Sequence, residues 1–304
     1  MVSAEADAHA RAVLAKATRE NFPVAPGFLP REWRYDLMAV YGYARLVDDI
    51  GDGDLAPGGL DAKYLGLGPA WGSEPGADRL AMLDAFEADL RGLFEDGRPA
   101  PDHPLLRALV PTVRRRRLTP EPFLALIEAN RQDQKVRRYA DHAELLQYCE
   151  LSANPVGHLV LAITGTATPD RIRYADDVCT ALQIVEHLQD VAEDLSRDRI
   201  YLPAEDMARF HVTEADLAAA SANASVRALL AFEAERAREL LSAGAPLVAS
   251  VRGRLRLLLA GFTGGGRAAL RAIGRAGYDV LPGPPRATTR GLLREVAATL
   301  RREG

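Results

Sequence analysis

Carboxylates recur at a four-residue spacing in two distant places along the 304-residue chain. The first cluster is Asp48, Asp49 and Asp52; the second is Asp190, Glu193 and Asp194, with Glu186 four residues ahead of Asp190. On a helix, positions four apart share a face, so Asp48 and Asp52 point the same way, as do Asp190 and Asp194. Like charges held that closely repel each other, and either water or a cation must compensate. Magnesium is the natural partner: it prefers carboxylate oxygens, keeps several waters, and is commonly shared with substrate phosphates. One such pair is an ordinary feature of a solvated helix face. Two pairs, each preceded by apolar helical sequence, predict a rim of carboxylates that holds magnesium and, through it, a diphosphate. Arg45, three residues before Asp48, and Arg197 and Arg199, just after the second cluster, add guanidinium groups suited to phosphate.

The elements that must carry these groups read as helices, because apolar residues recur at three and four. Residues 36–50 place Leu37, Val40, Tyr41, Ala44 and Val47 on adjacent turns. Helical patterns follow at residues 78–93 and from Pro120 onward, where proline suits a first turn. A long helix is expected over residues 170–195, two over 226–259 broken near Gly244 and Pro246, and a last one over 289–302. Strand-type alternation is scarce. Residues 51–76, rich in glycine and proline, predict turns. Gly264 to Gly266 is expected to interrupt the C-terminal helices, and residues 282–285 to separate the last one. None of these breaks has the length of an interdomain linker, so the expectation is a single all-α domain.

Bulk properties narrow the function. A net charge of −4 argues against a general nucleic-acid binder. Lysine occurs only at Lys16, Lys63 and Lys135, and the remaining basic residues are arginine. Two cysteines, Cys149 and Cys179, build no disulfide framework and fit a reducing cytoplasm. The first twenty residues are charged rather than signal-like, and no run reaches the ~18 apolar residues of a membrane span. No zinc spacing, nucleophile elbow, P-loop or dinucleotide fingerprint occurs in a suitable context.

Taken together, "YGYARLVDDIGD" (Tyr41 to Asp52) and "ALQIVEHLQDVAEDLSRDRIYLP" (Ala181 to Pro203) resemble the two aspartate motifs of the squalene/phytoene synthase family. The likeness runs from "ENFPV" at Glu20 to "GYDVL" ending at Leu281. With "YCELSANPVGHLVL" (Tyr148 to Leu161), it leans toward the hydroxysqualene synthases of hopanoid pathways. The resemblance implies an all-α isoprenoid synthase fold with a central apolar cavity. It implies a magnesium-dependent enzyme acting on an isoprenoid diphosphate, in this branch presqualene diphosphate handed over by a partner synthase. A substrate so apolar also implies peripheral contact with a membrane face. Alternative readings within the family are head-to-head synthases making presqualene diphosphate, dehydrosqualene or phytoene, and a non-catalytic helical assembly factor.

Carried over by resemblance, Asp48, Asp52, Asp190 and Asp194 are the metal-binding pairs, with Asp49 and Glu186 beside them. Tyr41, Arg45 and Tyr148 match positions at the diphosphate end of the pocket. Gln183 matches a pocket glutamine, Gly157 a close-packed glycine of the cavity wall, and Phe22 an N-terminal aromatic near the substrate. Arg199 and Tyr201 match the tail of the second motif. Glu186 departs from the family's usual asparagine, Gln189 from an arginine, and Gly266 from a tyrosine nearby. Each departure removes a group associated with joining two farnesyl diphosphates. Outside the motifs, the basic run Arg114 to Arg117 reads as a solvated helix end, and His158 and His187 as packed core histidines.

Overall fold

A computed structural model describes residues 24–55, 59–67, 75–95, 97 and 99–303. Among these the secondary structure is helical, apart from one isolated parallel bridge between Arg138 and Ile200. The chain forms two compact units, residues 1–135 with 158–166, and residues 136–157 with 167–304.

In the first unit, helix α1 (Arg31–Asp52) packs against α3 (Pro75–Arg91), α4 (Pro104–Arg116) and α5 (Glu121–Gln132); a short α2 (Leu60–Tyr64) lies between α1 and α3 in the chain. The buried stripe of α1 runs through Val40, Tyr43, Leu46, Val47 and Ile50, at the spacing expected of one helix face. Tyr43 is its keystone: the ring stacks on Phe86 (5.5 Å) and meets Phe123 edge-on (5.0 Å), while the hydroxyl donates to the Phe123 carbonyl at 2.8 Å. Helix α1 ends at Gly53, whose φ of +73° provides the left-handed cap. It therefore carries Gly51 and Asp52 inside the helix, two residues past the expected end at 50. Gly51 is needed there because a Cβ would lie 1.9 Å from the Asn130 Oδ1 of α5. Most of the glycine-rich 51–76 segment beyond α2 lies outside the described residues, as does Phe22.

The basic run behaves differently from a solvated helix end. Arg114, Arg115 and Arg116 form the last turn of α4, but Arg115 and Arg116 both reach the fully buried Asp36 of α1, Arg116 at 2.7 Å. Thr112 donates to the same carboxylate at 2.8 Å. A buried carboxylate requires such partners, so half of the run fastens α4 to α1.

The second unit is built on α8 (Pro169–Gln189), started by Thr168, whose side chain accepts from the Arg171 N–H, and by Pro169 at the first turn. It packs on α12 (Ala224–Ala243), α14 (Gly253–Arg275) and α6 (His142–Ser152); α7 (Asn154–Ile163) follows α6 in the chain. Short helices α9 (Val191–Ser196), α10 (Ala204–Arg209), α11 (Glu214–Leu217) and α13 (Pro246–Ala249) link the longer ones, and α15 (Thr289–Arg302) packs on α14. The core is aliphatic, with Ile184, Val185, Leu188, Leu229, Leu230 and Ile273 nearly inaccessible.

Two sequence expectations are corrected here. Gly264 to Gly266 does not interrupt a helix; all three are buried within α14. They are there for close packing: a Cβ on Gly264 would sit 2.8 Å from the Val296 backbone nitrogen, and one on Gly266 2.8 Å from Leu182. The helix expected over 170–195 is divided at Asp190, where φ −106° and ψ 16° leave helical geometry. The break expected near Gly244 and Pro246 is present, with the short α13 standing between α12 and α14.

Candidate active site

The first acidic cluster sits in the last turn of α1. Asp48 is exposed and Asp52 half-buried, whereas Asp49 is only 1% exposed. Arg45 reaches down one turn to Asp49, Nε to Oδ1 2.9 Å. Asn130, on the facing helix α5, donates to Asp48 Oδ1 at 3.3 Å and to the Leu126 carbonyl at 3.1 Å. Gln134, one turn later, donates to the Gly51 carbonyl at 2.9 Å. This end of α1 is thus held by an arginine from within and by two amides, one on α5 and one in the turn after it. Tyr41, half-buried, lies one turn before Arg45 on the same helix.

In the second cluster, Asp190 stands at the α8–α9 junction. The hydrogen bonds from Asp190 N to Glu186 O (3.0 Å) and from Asp194 N to Asp190 O (2.8 Å) persist across it. Burial pushes the Asp190 carboxyl up to about 6, with the neighbouring Asp194 and Glu193 charges adding to the rise and His187 and Arg286 opposing it. One carboxylate oxygen of Asp194, Oδ2, is buried and accepts no hydrogen bond; the nearest cationic candidate is His187 Nδ1 at 3.9 Å. Glu186 is exposed.

Behind these acids lies an aromatic cluster. His187 stacks on Tyr201 with centroids 3.8 Å apart and planes 10° from parallel, and Tyr148 lies 5.4 Å from Tyr201 and 6.1 Å from His187. Tyr139 completes it, 5.5 Å from Tyr148 and 5.7 Å from Tyr201. The tail of the second motif is brought there by backbone bonds: Ile200 N donates to Arg137 O and Ala204 N to Tyr139 O, both at 2.9 Å. Arg199 is buried in the same segment. Gln183 places its amide nitrogen 3.2 Å from His187 Nε2. Gly157 lets α7 approach α8; a Cβ there would meet Cys179 Sγ at 2.8 Å.

Several of these groups were not singled out from sequence as site residues. Asn130, in the last turn of α5, and Gln134, in the turn that follows it, are amides four residues apart, a detectable signal. Tyr139 carries none on its own. Arg286 acts from a loop nearly a hundred residues after Asp190: Gln189 donates to the Pro285 carbonyl at 2.6 Å and so brings this loop to the second cluster.

Among the described residues no group of three or more His, Cys, Asp or Glu side chains is gathered into a cage for a metal ion. Magnesium asks for less, since one or two carboxylates plus phosphate oxygens suffice. The donor chemistry of the second cluster fits it: all-oxygen ligands, a buried Asp194 oxygen without a hydrogen bond, and an Asp190 charge opposed by its surroundings.

The family description "Squalene/phytoene synthase" matches residues 15–292. Hydroxysqualene synthase of Rhodopseudomonas palustris is 32% identical over 77% of this chain and 72% of its own length. Phytoene synthase of Arthrospira platensis is 33% identical over 72% and 68%. The crystal structure of squalene synthase HpnC from Alicyclobacillus acidocaldarius superposes with a TM-score of 0.74 at 39% identity, covering 90% of this chain and 95% of that one. A dehydrosqualene synthase solved with a ligand shares the fold, with a TM-score of 0.79 at 22% identity over 98% and 97%.

Proposed function

Because the chain belongs to the squalene/phytoene synthase family, we propose that it converts presqualene diphosphate and water to hydroxysqualene and diphosphate. The C–O bond to the diphosphate breaks and the leaving group takes the electron pair. The cyclopropylcarbinyl cation rearranges, and water adds with loss of a proton. Nothing is reduced, so no nicotinamide is required. When bound, magnesium would supply positive charge for the leaving diphosphate. Asp190 and Asp194, with Glu186 beside them, are assigned as carboxylates that would hold it, and Asp48 and Asp52 are assigned the same role in their own unit.

The chain's other residues take supporting parts. Asp49 forms an ion pair with Nε of Arg45, which holds this guanidinium at the end of α1 for phosphate. Tyr41 shares that helix and assists the leaving group. Tyr148, Tyr201 and Gln183 shape the second unit's wall around His187, and apolar surroundings shield the cation from early capture. The substrate is supplied by a presqualene diphosphate synthase and draws the protein to a membrane surface.

The observation that carries this reading is the second cluster: Asp190, whose charge burial and its acidic neighbours oppose, beside Asp194, one of whose buried oxygens accepts no hydrogen bond. Calorimetry with inorganic pyrophosphate tests it. Saturable binding that requires magnesium, and is lost in Asp190→Ala, is expected. Equal binding in EDTA, or none with magnesium, would remove the metal site and favour a non-catalytic helical factor. The phytoene synthase relatives support a second reading, the head-to-head joining of two prenyl diphosphates, which product analysis separates.

A further inference from the structure

The charge of this chain is divided unevenly. Residues 252–303 hold eleven arginines, no lysine and three acids (Asp279, Glu295 and Glu303), a net of +8. The whole chain carries −4, so the remainder carries −12. Two of the three acids are already engaged: Glu295, 2% exposed, with Arg271 at 2.9 Å, and Asp279 with Arg227 at 2.7 Å. The arginines are concentrated on the α14–α15 hairpin and its connecting loop, and Arg252, Arg254, Arg275, Arg286, Arg290, Arg294, Arg301 and Arg302 are exposed.

Helix α15 sorts its residues by face. Glu295 and Thr299 are buried toward α14, where Arg267 donates to Thr299 Oγ1 at 2.8 Å. The opposite side presents Arg290, Leu293, Arg294, Ala297, Leu300 and Arg301, the i, i+3, i+4, i+7 spacing of a single stripe. Leu293 is 62% exposed, the largest value among the exposed large hydrophobic residues described. On α14, Leu257 is exposed 38% and lies one turn from Arg254. Arginines alternating with outward leucines make a basic amphipathic face of the kind that lies flat in a lipid interface.

We infer that the α14–α15 hairpin is the surface by which this protein docks on an anionic lipid bilayer. A bilayer fits better than nucleic acid because exposed leucines gain by entering acyl chains but not by facing phosphates. Among the described residues no helix is long and apolar enough to cross a membrane, so the contact is interfacial. The inference gives a place to the membrane contact proposed above, yet it stands on charge and exposure and is measured apart from catalysis.

Flotation of the full chain with vesicles tests it, using phosphatidylcholine alone and with about a third phosphatidylglycerol. Binding only to anionic vesicles, weakened by 0.5 M salt, is expected. Arg290→Gln, Arg294→Gln and Arg301→Gln combined should weaken it roughly a hundredfold, from about fivefold per arginine. Leu293→Ser should weaken it further. Arg114→Gln with Arg117→Gln, the other basic run, should leave it unchanged, and circular dichroism confirms that each variant folds. Absence of wild-type binding, undiminished binding by the triple variant, or loss only in the Arg114/Arg117 variant would overturn the inference. So would tighter association with duplex DNA than with anionic vesicles. Pyrophosphate binding retained by the triple variant separates this outcome from failure of the catalytic reading.

Discussion

The two acidic clusters have the same spacing and different surroundings. Asp48, Asp49 and Asp52 end an uninterrupted helix, where Arg45 forms an ion pair with Asp49 and the Asn130 amide donates to Asp48. Asp190 and Asp194 straddle a helix junction; burial and neighbouring acids oppose ionisation of Asp190, and one Asp194 oxygen accepts no hydrogen bond. Identical spacing can therefore lie in different surroundings. Under the proposed function, the second cluster has the greater use for a cation.

The largest expected effect is on turnover. Asp48→Ala and Asp190→Ala should each lower product formation by about a thousandfold or more, a loss of ~4 kcal/mol of leaving-group stabilisation, while circular dichroism shows the helices intact. Normal turnover by both variants would end the assignment. The clusters should part in stability. Asp49→Ala leaves Arg45 without its buried partner and should cost about 2 kcal/mol in urea unfolding, less than for a fully buried pair because Arg45 is 30% exposed. No change there would mean that Arg45 does not stabilise Asp49.

The smallest effect has the opposite sign. The folded-state value of Asp190 lies at about 6, above its ordinary one. The folded protein thus holds this proton more tightly than the unfolded chain, and stability is lost as pH rises from about 4 through about 6. Asp190→Asn, which cannot ionise, should be more stable than the wild type in EDTA at pH 7.5. The gain is about 1 kcal/mol after allowance for solvent screening, and it vanishes near pH 4. Magnesium should narrow the gap by stabilising the wild type alone. A gain that persists at pH 4 would show that the charge is not its cause.

Much of this was legible in the sequence. The all-helical class follows from apolar periodicity, and α15 appears at residues 289–302 as expected. Both aspartate pairs are readable because helical spacing is a local property. What was not legible depends on contacts between distant segments. Gly264 to Gly266 reads as a breaker from composition, but the backbone of Val296 decides its meaning. Arg115 and Arg116 read as solvated until Asp36 is seen beneath them. Asp190 sits at a helix junction that periodicity spans without notice, and Arg286 joins the second cluster only through the Gln189–Pro285 hydrogen bond. Phe22 lies outside the described residues.

The most direct measurement is product analysis after incubation with magnesium and presqualene diphosphate in the absence of NADPH, beside a parallel reaction with farnesyl diphosphate. The account predicts hydroxysqualene from the first and no consumption of the second. Consumption of farnesyl diphosphate would contradict it and make the enzyme a head-to-head synthase; turnover of neither substrate would contradict it as well.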